Sequence, residues 1–254
     1  MKKITKNITT GTLVVTSLLS NVATIGAEEV KDYIDYSVKS DKEYCSYSVG
    51  NETPQIVIRA GEYDGKPGKR AYINPNEINV PSDIPIHQDE HGYYIQEFDI
   101  NKKLATAIYK KLLNKGVSAQ LHLASSKKED LNSAGRKARR TGADMYLSVH
   151  HNSYKEDSSG MFFMCNEGEH QDALISQRLA NSVKGSSVPM LDNRLNTNGY
   201  IGELNETSSM INILGEFGFF SNPKELEIIM SDKQVEFISE RIANEIYQIL
   251  QEVK

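Results

Sequence analysis

The chain has 254 residues, with 29 basic and 34 acidic side chains and a formal net charge of −5. This length fits one domain with a sizeable core, and the acidic balance argues against a protein that holds nucleic acid by bulk charge. There are two cysteines, Cys45 and Cys165, so the fold does not depend on a disulfide framework. They are either unpaired thiols, which we favour, or one disulfide.

The N-terminus has the composition of an export signal. Three lysines among the first six residues precede a mildly apolar run at 11–25, and small residues follow at 26 and 27. This order is typical of a secretory signal peptide, and the run is too short and too polar for a spanning helix. We predict a signal peptide at 1–27, export, and no stable membrane insertion after cleavage. Cleavage would remove three lysines and no acid, lowering the net charge from −5 to −8.

Two segments differ in composition from the rest of the exported chain. Residues 28–54 are polar and rich in tyrosine, which predicts an N-terminal extension packed loosely on a domain that spans 55–254. Residues 66–96 are rich in proline, glycine and asparagine, which predicts a long loop. Long loops in compact domains are usually functional or disordered.

The remainder alternates between two patterns. Short β-branched and apolar runs predict strands at 55–58, 117–123, 144–150, 160–165 and 210–217. Helical spacing of apolar residues, with stop signals, predicts helices at 99–115, 131–142, 170–184 and about 232–252. Such alternation indicates a single α/β domain with a mostly parallel twisted sheet flanked by helices. In these folds the functional site lies beyond the carboxyl ends of the strands.

The run at 213–222 (ILGEFGFFSN) places one carboxylate, Glu216, among apolar residues. Desolvation of a carboxylate costs several kcal/mol unless the group is paired or bound to a metal. A low dielectric also raises its pKa, which suits a general acid or base. The alternative is that Glu216 lies at the end of the sheet and only caps a loop.

Other acidic and histidine side chains fall near predicted strand ends. Glu62, His150 and Glu216 lie at or just past such ends, and Glu97 precedes the first long helix. A catalytic zinc site needs three protein ligands, an open position and a nearby base. Because these residues form no short signature such as His-Glu-x-x-His, their spacing leaves a zinc hydrolase as one option among several.

Four segments resemble the zinc-dependent N-acetylmuramoyl-L-alanine amidases of the amidase-3 type. Residues 56–62 (IVIRAGE) resemble the first strand of the family, which normally ends Asp-x-Gly-His, and 97–101 (EFDIN) resemble the start of its first long helix. Residues 143–152 (ADMYLSVHHN) match Ala-Asp-x-x-x-Ser-x-His-x-Asn, and 216–222 (EFGFFSN) match Glu-x-Gly-Phe-x-x-Asn. The resemblance spans about 55–250.

The resemblance implies an amidase-3 fold of the phosphorylase/hydrolase-like kind and a site built from four residues. Glu97 and His150 fall on two ligands of one Zn²⁺ ion, and Glu216 falls on the catalytic glutamate. The third ligand, a histidine in the family, is Glu62 here. The implied reaction is hydrolysis of the amide between N-acetylmuramic acid and L-alanine, so the implied substrate is peptidoglycan and the implied location the cell wall. A regulatory protein partner is left open.

The replacement of histidine by Glu62 leaves three interpretations. With Zn²⁺, a His/Glu/His ligand set has a net charge of +1, whereas Glu62, Glu97 and His150 leave zero, a weaker Lewis acid that could also admit manganese. The site is either a working Glu/Glu/His site, or one rescued by His87 or His91, or one without metal. In the last case the protein would be a peptidoglycan-binding or regulatory protein with impaired catalysis.

Overall fold

A computed structural model describes residues 45–49, 53–62, 69–123, 131–197 and 201–253. The predicted signal peptide and most of the predicted N-terminal extension lie outside these residues. The strands are β1 (Cys45–Val49), β2 (Ile56–Ala60), β3 (Arg70–Ile73), β4 (His87–Asp89), β5 (Gly92–Gln96), β6 (Ala119–Leu123), β7 (Met145–Asn152), β8 (Phe162–Asn166), β9 (Arg194–Asn196) and β10 (Ile211–Phe219). The helices are α1 (Glu97–Asn114), α2 (Leu131–Arg140), α3 (His170–Ser182), α4 (Gly202–Glu206), α5 (Pro223–Met230) and α6 (Asp232–Glu252).

The main sheet confirms the predicted α/β architecture. Its strand order in the described chain is β1-β6-β2-β7-β10-β8-β9. The four central strands β6, β2, β7 and β10 are mutually parallel, whereas β1 and β8 run antiparallel to their inner neighbours. Parallel strands need helical crossovers that cover the faces of the sheet, and the alternating sequence pattern follows from this requirement.

Helices cover both faces, and the alternation of side chains along β2 shows how the core divides. Ile56 and Ile58 pack into the large apolar cluster that also takes residues of α1, α3 and α6. Val57, between them, faces the opposite side and joins a small cluster with Tyr146 and Ala138 of α2. Because successive side chains of a strand point to opposite faces, one fully buried strand serves both layers.

The segment 66–96, predicted to be a long loop, forms a second small sheet in its described part. Strands β3, β5 and β4 pair antiparallel in that order. The Tyr72 and Tyr94 rings meet edge to face at 5.8 Å, and the Arg70 guanidinium lies 4.5 Å from the Tyr94 ring centroid. β3 and β4 have only four and three residues, at or below the shortest run in which alternation can be read, and cross-strand aromatic packing stabilises the small sheet.

Part of the predicted N-terminal extension belongs to the main sheet. β1 pairs antiparallel with β6, with Cys45 opposite Leu123 and Val49 opposite Ala119. The domain boundary at residue 55 stays a prediction. Residues 45–49, which precede this boundary, add an edge strand to the main sheet.

The strand order separates Cys45 and Cys165 too widely for a disulfide. Four strands separate β1, which carries Cys45, from β8, which carries Cys165. Adjacent strands lie about 4.8 Å apart, so the two backbones are far beyond the roughly 4.4–6.8 Å between the Cα atoms of a disulfide. The Cys165 thiol is free and buried, which agrees with the favoured alternative.

Among the described residues, no helix has the length and apolar character needed to cross a membrane.

Candidate metal and catalytic site

The candidate site lies where three parallel strands end. In β2 and β7, Ala60 is level with Val149, and the Gly61 amide donates to the Val149 carbonyl at 2.7 Å. In β7 and β10, His150 is level with Glu216. The carboxyl ends of neighbouring parallel strands therefore bring residues 61–62, His150 and Glu216 to one edge of the sheet, as expected for this fold class.

Glu62, Glu97 and His150 form a group that can hold a cation. Each is buried and offers one ligand atom, and these atoms all lie within 4.8 Å of one another. Ligands at about 2 Å from one zinc ion lie within about 4 Å of each other, so only a small contraction is needed to surround an ion. The family resemblance implied one site for these three residues, and the structure brings them together.

Glu97 is fixed by a small network at the start of α1. Its Oε1 accepts from Asn101 Nδ2 at 3.1 Å and from the His151 amide at 3.4 Å. Asn101 also donates to the Gly61 carbonyl at 3.0 Å, and its Oδ1 contacts His151 Nδ1 at 2.7 Å. His151 is itself buried. Asn101 thereby joins the strand end at Gly61 to the glutamate of α1.

Two buried oxygens test whether the site suits a cation. Within the described part of the chain, Glu97 Oε2 and Glu216 Oε2 are shielded from solvent; Glu216 Oε2 accepts no hydrogen bond, and Glu97 Oε2 has a long contact of 3.4 Å with Lys69 Nζ. A buried polar atom without a donor is costly. A metal ion satisfies such oxygens, and two carboxylates with one imidazole suit zinc and other divalent ions. The residues present therefore fit a divalent cation.

His150 is held on both ring nitrogens. Its Nδ1 lies 3.3 Å from Glu97 Oε1, and its Nε2 lies 3.2 Å from Glu203 Oε1. Burial acts to lower the pKa of His150, but the hydrogen bonds to Glu203 and Glu97 raise it to about 10. A metal-bound histidine must be neutral, so binding of a cation at His150 would release its proton.

Glu203 is a site residue that the sequence analysis missed. It lies fully buried in the short helix α4, and its Oε2 accepts from Arg59 Nη1 at 3.1 Å, Tyr146 Oη at 2.8 Å and Ser148 Oγ at 3.1 Å. Burial acts to raise the pKa of Glu203, and Arg59 and His150 lower it to about 2. The available signal was Arg59, a cation in an apolar strand that requires a buried carboxylate partner.

The backbone at residues 61–62 is shaped by His150. A Cβ atom at Gly61 would lie 2.3–2.4 Å from three atoms of the His150 ring, so only glycine fits. Glu62 follows with a φ of 63°, the left-handed region that a glutamate adopts at a cost of about 1–2 kcal/mol. Strain of this kind persists where the surroundings over-determine the backbone, often at functional sites.

Glu97 and Glu216 have opposite electrostatic environments. Burial acts to raise the pKa of Glu97, but its hydrogen bond and charge interaction with His150 lower it to about 2. For Glu216, burial dominates and raises the pKa to about 8. Two carboxylates whose pKa values are pushed apart are typical of a site that assigns them different roles.

The two histidines proposed as rescuing ligands lie elsewhere. His87 Nε2 contacts Asp99 Oδ2 at 2.8 Å, and its ring stacks on Tyr94. The His91 side chain is 68% exposed. Neither belongs to the metal-binding group found among the described residues, so the site has Glu62, and neither of these histidines, as its third donor.

A mostly parallel sheet with paired carboxylates and a histidine at its carboxyl edge defines an α/β protein with a candidate metal-binding site. The family model for N-acetylmuramoyl-L-alanine amidase (amidase-3) matches residues 85–248, and the chain belongs to this family. The protein is thus a hydrolase that acts on amide bonds. The matched range includes Glu97, His150 and Glu216 and begins after Glu62. No curated protein matches the chain.

Solved structures with the same fold include several amidases. The N-acetylmuramoyl-L-alanine amidase from Clostridium difficile 630 has a TM-score of 0.59 and 18% identity, over 79% of this chain and 98% of that one. AmiC2 of Nostoc punctiforme has a TM-score of 0.58 and 18% identity, over 77% and 96%. The CwlD amidase from Clostridioides difficile, in complex with the GerS lipoprotein, has a TM-score of 0.52 and 20% identity, over 80% and 100%. At these identities the likeness confirms the fold.

The first prediction concerns Glu203. Glu203→Ala leaves the Arg59 guanidinium buried without its carboxylate, and removal of one partner of a buried pair costs about 3–5 kcal/mol. Glu206→Ala is the matched control in the same helix, because Glu206 pairs with Arg136 and Arg139 near the surface, where an ion pair contributes about 0–1 kcal/mol. Urea unfolding of both variants measures the difference. Equal losses in the two variants would contradict the buried role of Glu203.

The second prediction concerns the pH dependence of stability through Glu216. A folded-state pKa of about 8, above the ordinary 4.5, gives a contribution that is present below pH 4.5 and lost as pH rises through 8. Glu216→Gln cannot lose a proton. In chelator, we expect this variant to become more stable than the wild type between pH 5 and pH 9, by on the order of a few kcal/mol. A difference that does not change with pH would show that Glu216 ionises normally.

Proposed function

We propose that the protein hydrolyses the amide between N-acetylmuramic acid and L-alanine in peptidoglycan, with one Zn²⁺ bound by Glu62, Glu97 and His150. Glu216 is the general base. One observation carries the proposal: in a chain of the amidase family, three donor atoms lie within 4.8 Å of one another and Glu216 faces His150 on the adjacent strand. The neighbouring structures are themselves amidases, which supports the same substrate class.

Glu216 performs the proton transfers. When bound, a divalent cation acts as a Lewis acid that polarises the scissile carbonyl and makes water a stronger nucleophile. Glu216 takes a proton from the attacking water as the C–O bond forms, and delivers it to the alanine nitrogen as the C–N bond breaks. Burial raises the pKa of Glu216 to about 8, and a nearby cation lowers it. These opposing effects suit a group that first accepts and then returns a proton.

Glu203 and Asn101 are positioning residues in this proposal. Glu203 contacts His150 Nε2 at 3.2 Å, which orients the imidazole and raises its basicity, as carboxylates commonly do behind metal-bound histidines. Asn101 links Glu97 Oε1 to the Gly61 carbonyl. Glu203 therefore orients His150, and Asn101 orients Glu97, before a cation binds.

The rival function is a peptidoglycan-binding or regulatory protein that has lost its metal. The buried Glu97 carboxylate and Glu216 Oε2, which accepts no hydrogen bond in the described part of the chain, argue against it, because a site freed from metal binding gains stability when such groups are replaced. A manganese ion in place of zinc is the alternative for the cofactor, since Glu62 adds a hard oxygen donor.

Export and a regulatory partner belong to the proposal as well. The lysine-led, apolar start of the chain supports a signal peptide at 1–27 and a location at the cell wall. The GerS complex of the CwlD amidase supports the idea that a second protein can bind this fold. Peptidoglycan is the substrate and therefore the first partner in this proposal.

The third prediction tests the reaction. Purified protein lacking 1–27, incubated with peptidoglycan, should release stem peptides that begin with a free L-alanine amine, detected by mass spectrometry. Glu216→Gln should lower the rate by about 10²–10⁴-fold, the usual contribution of a general acid or base. Glu206→Gln, a change on the surface of α4, should leave the rate unchanged. An active Glu216→Gln variant would remove Glu216 from the mechanism.

The fourth prediction tests the ligand set. Wild-type protein should bind about one zinc or manganese ion per chain by elemental analysis, and a chelator should abolish stem-peptide release. Glu62→Ala removes one donor and should weaken metal binding by at least about tenfold. If the wild type holds no metal and is inactive, and Glu62→His restores both, then the native site has degenerated and the rival function is favoured.

A further inference from the structure

A lysine lies directly on the candidate metal site and has no place in the mechanism above. Lys69 Nζ lies 3.4 Å from Glu97 Oε2 and 3.9 Å from Glu62 Oε1. The two carboxylates are 1% and 7% exposed, whereas the lysine side chain is 37% exposed. The ammonium group therefore reaches the two ligand glutamates from the solvent side.

The backbone that carries Lys69 is anchored at the site. The Lys69 carbonyl accepts from the Glu97 amide at 3.1 Å. Arg70, the next residue, is level with Gln96 in the β3–β5 pair. Because the main chain is fixed at both points, the side chain is the part that can move, and its exposed stem leaves it room to rotate into solvent.

The charges at the site explain why a cationic side chain is placed there. Glu62 and Glu97 are two buried carboxylates in one group, and burial without a counter-charge strongly disfavours both ions. A His/Glu/His ligand set carries a charge of −1 with neutral imidazoles, whereas Glu62, Glu97 and His150 carry −2. In the metal-free site a protonated His150 offsets one of these negative charges, and Lys69 offsets the second.

We propose that Lys69 is a tethered counter-ion of the Glu62–Glu97 pair that a divalent cation must displace. The inference rests on the proposed metal site. Lys69 Nζ contacts one oxygen of each carboxylate that would hold the cation, Glu97 Oε2 and Glu62 Oε1, and two positive charges a few ångströms apart repel each other. Lys69 thus lowers the affinity of the site for the cation and stabilises the ligand glutamates when no cation is bound.

The experiment is a titration of the full-length, chelator-treated protein with Zn²⁺ alone, followed by calorimetry. Lys69→Met removes the charge and keeps a flexible stem of similar shape, and Lys69→Gln is a second neutral variant should the first fold poorly. Lys103→Met is the matched control, because Lys103 also lies between two carboxylates, Asp83 at 2.9 Å and Asp232 at 2.7 Å.

We expect Lys69→Met and Lys69→Gln to lower the Kd for Zn²⁺ by on the order of tenfold, with Lys69→Arg and Lys103→Met close to the wild type. Wild-type affinity in both neutral variants would overturn the role of Lys69 and leave the metal site standing. Absence of binding in every variant would overturn both. Tighter binding in the neutral variants without any stem-peptide release would support the counter-ion and overturn only the proposed reaction.

Discussion

The rest of the site depends on one interaction, the contact of the His150 imidazole with two buried carboxylates. Glu97 lies 3.3 Å from one ring nitrogen and Glu203 lies 3.2 Å from the other. Gly61 is required because the ring packs directly on its Cα. Glu97 lies in α1 and Glu203 in α4, while Gly61 and His150 lie at the ends of β2 and β7. Four elements of the fold therefore meet at the His150 side chain.

The charges around His150 alternate in sign along a continuous path. Arg59 pairs with Glu203, Glu203 and Glu97 flank His150, and Lys69 closes the path at the solvent side. Each buried charge thus has an opposite neighbour, which offsets a desolvation cost that would otherwise exclude it. Glu216 is level with His150 but its Oε2 accepts no hydrogen bond in the described part of the chain. Burial raises the pKa of Glu216, and the charge of His150 only partly opposes this effect.

The sequence predicted those parts of the molecule that local pattern controls. The parallel sheet followed from β-branched runs alternating with helical spacing, and Glu216 stood out because an ionisable group interrupts an apolar strand. Glu203 could not be found in this way, because it lies in a helix of five residues whose burial depends on tertiary packing against Arg59. The β3–β5–β4 sheet was not predicted because β3 and β4 have only four and three residues and lie in a segment whose proline, glycine and asparagine content predicts a loop. The position of Lys69 depends in turn on their register.

The replacement of histidine by Glu62 is best judged by what surrounds it. Gly61 is held on both sides, since its amide donates to Val149 and its carbonyl accepts from Asn101. Glu62, the next residue, lies in the left-handed region, where a glutamate is strained by about 1–2 kcal/mol. A decayed site has no physical reason to keep a strained carboxylate buried beside a second one with a lysine placed over both. The strain, the burial and the counter-charge together support the proposal that Glu62 works as a ligand in a site rebalanced around an extra negative charge.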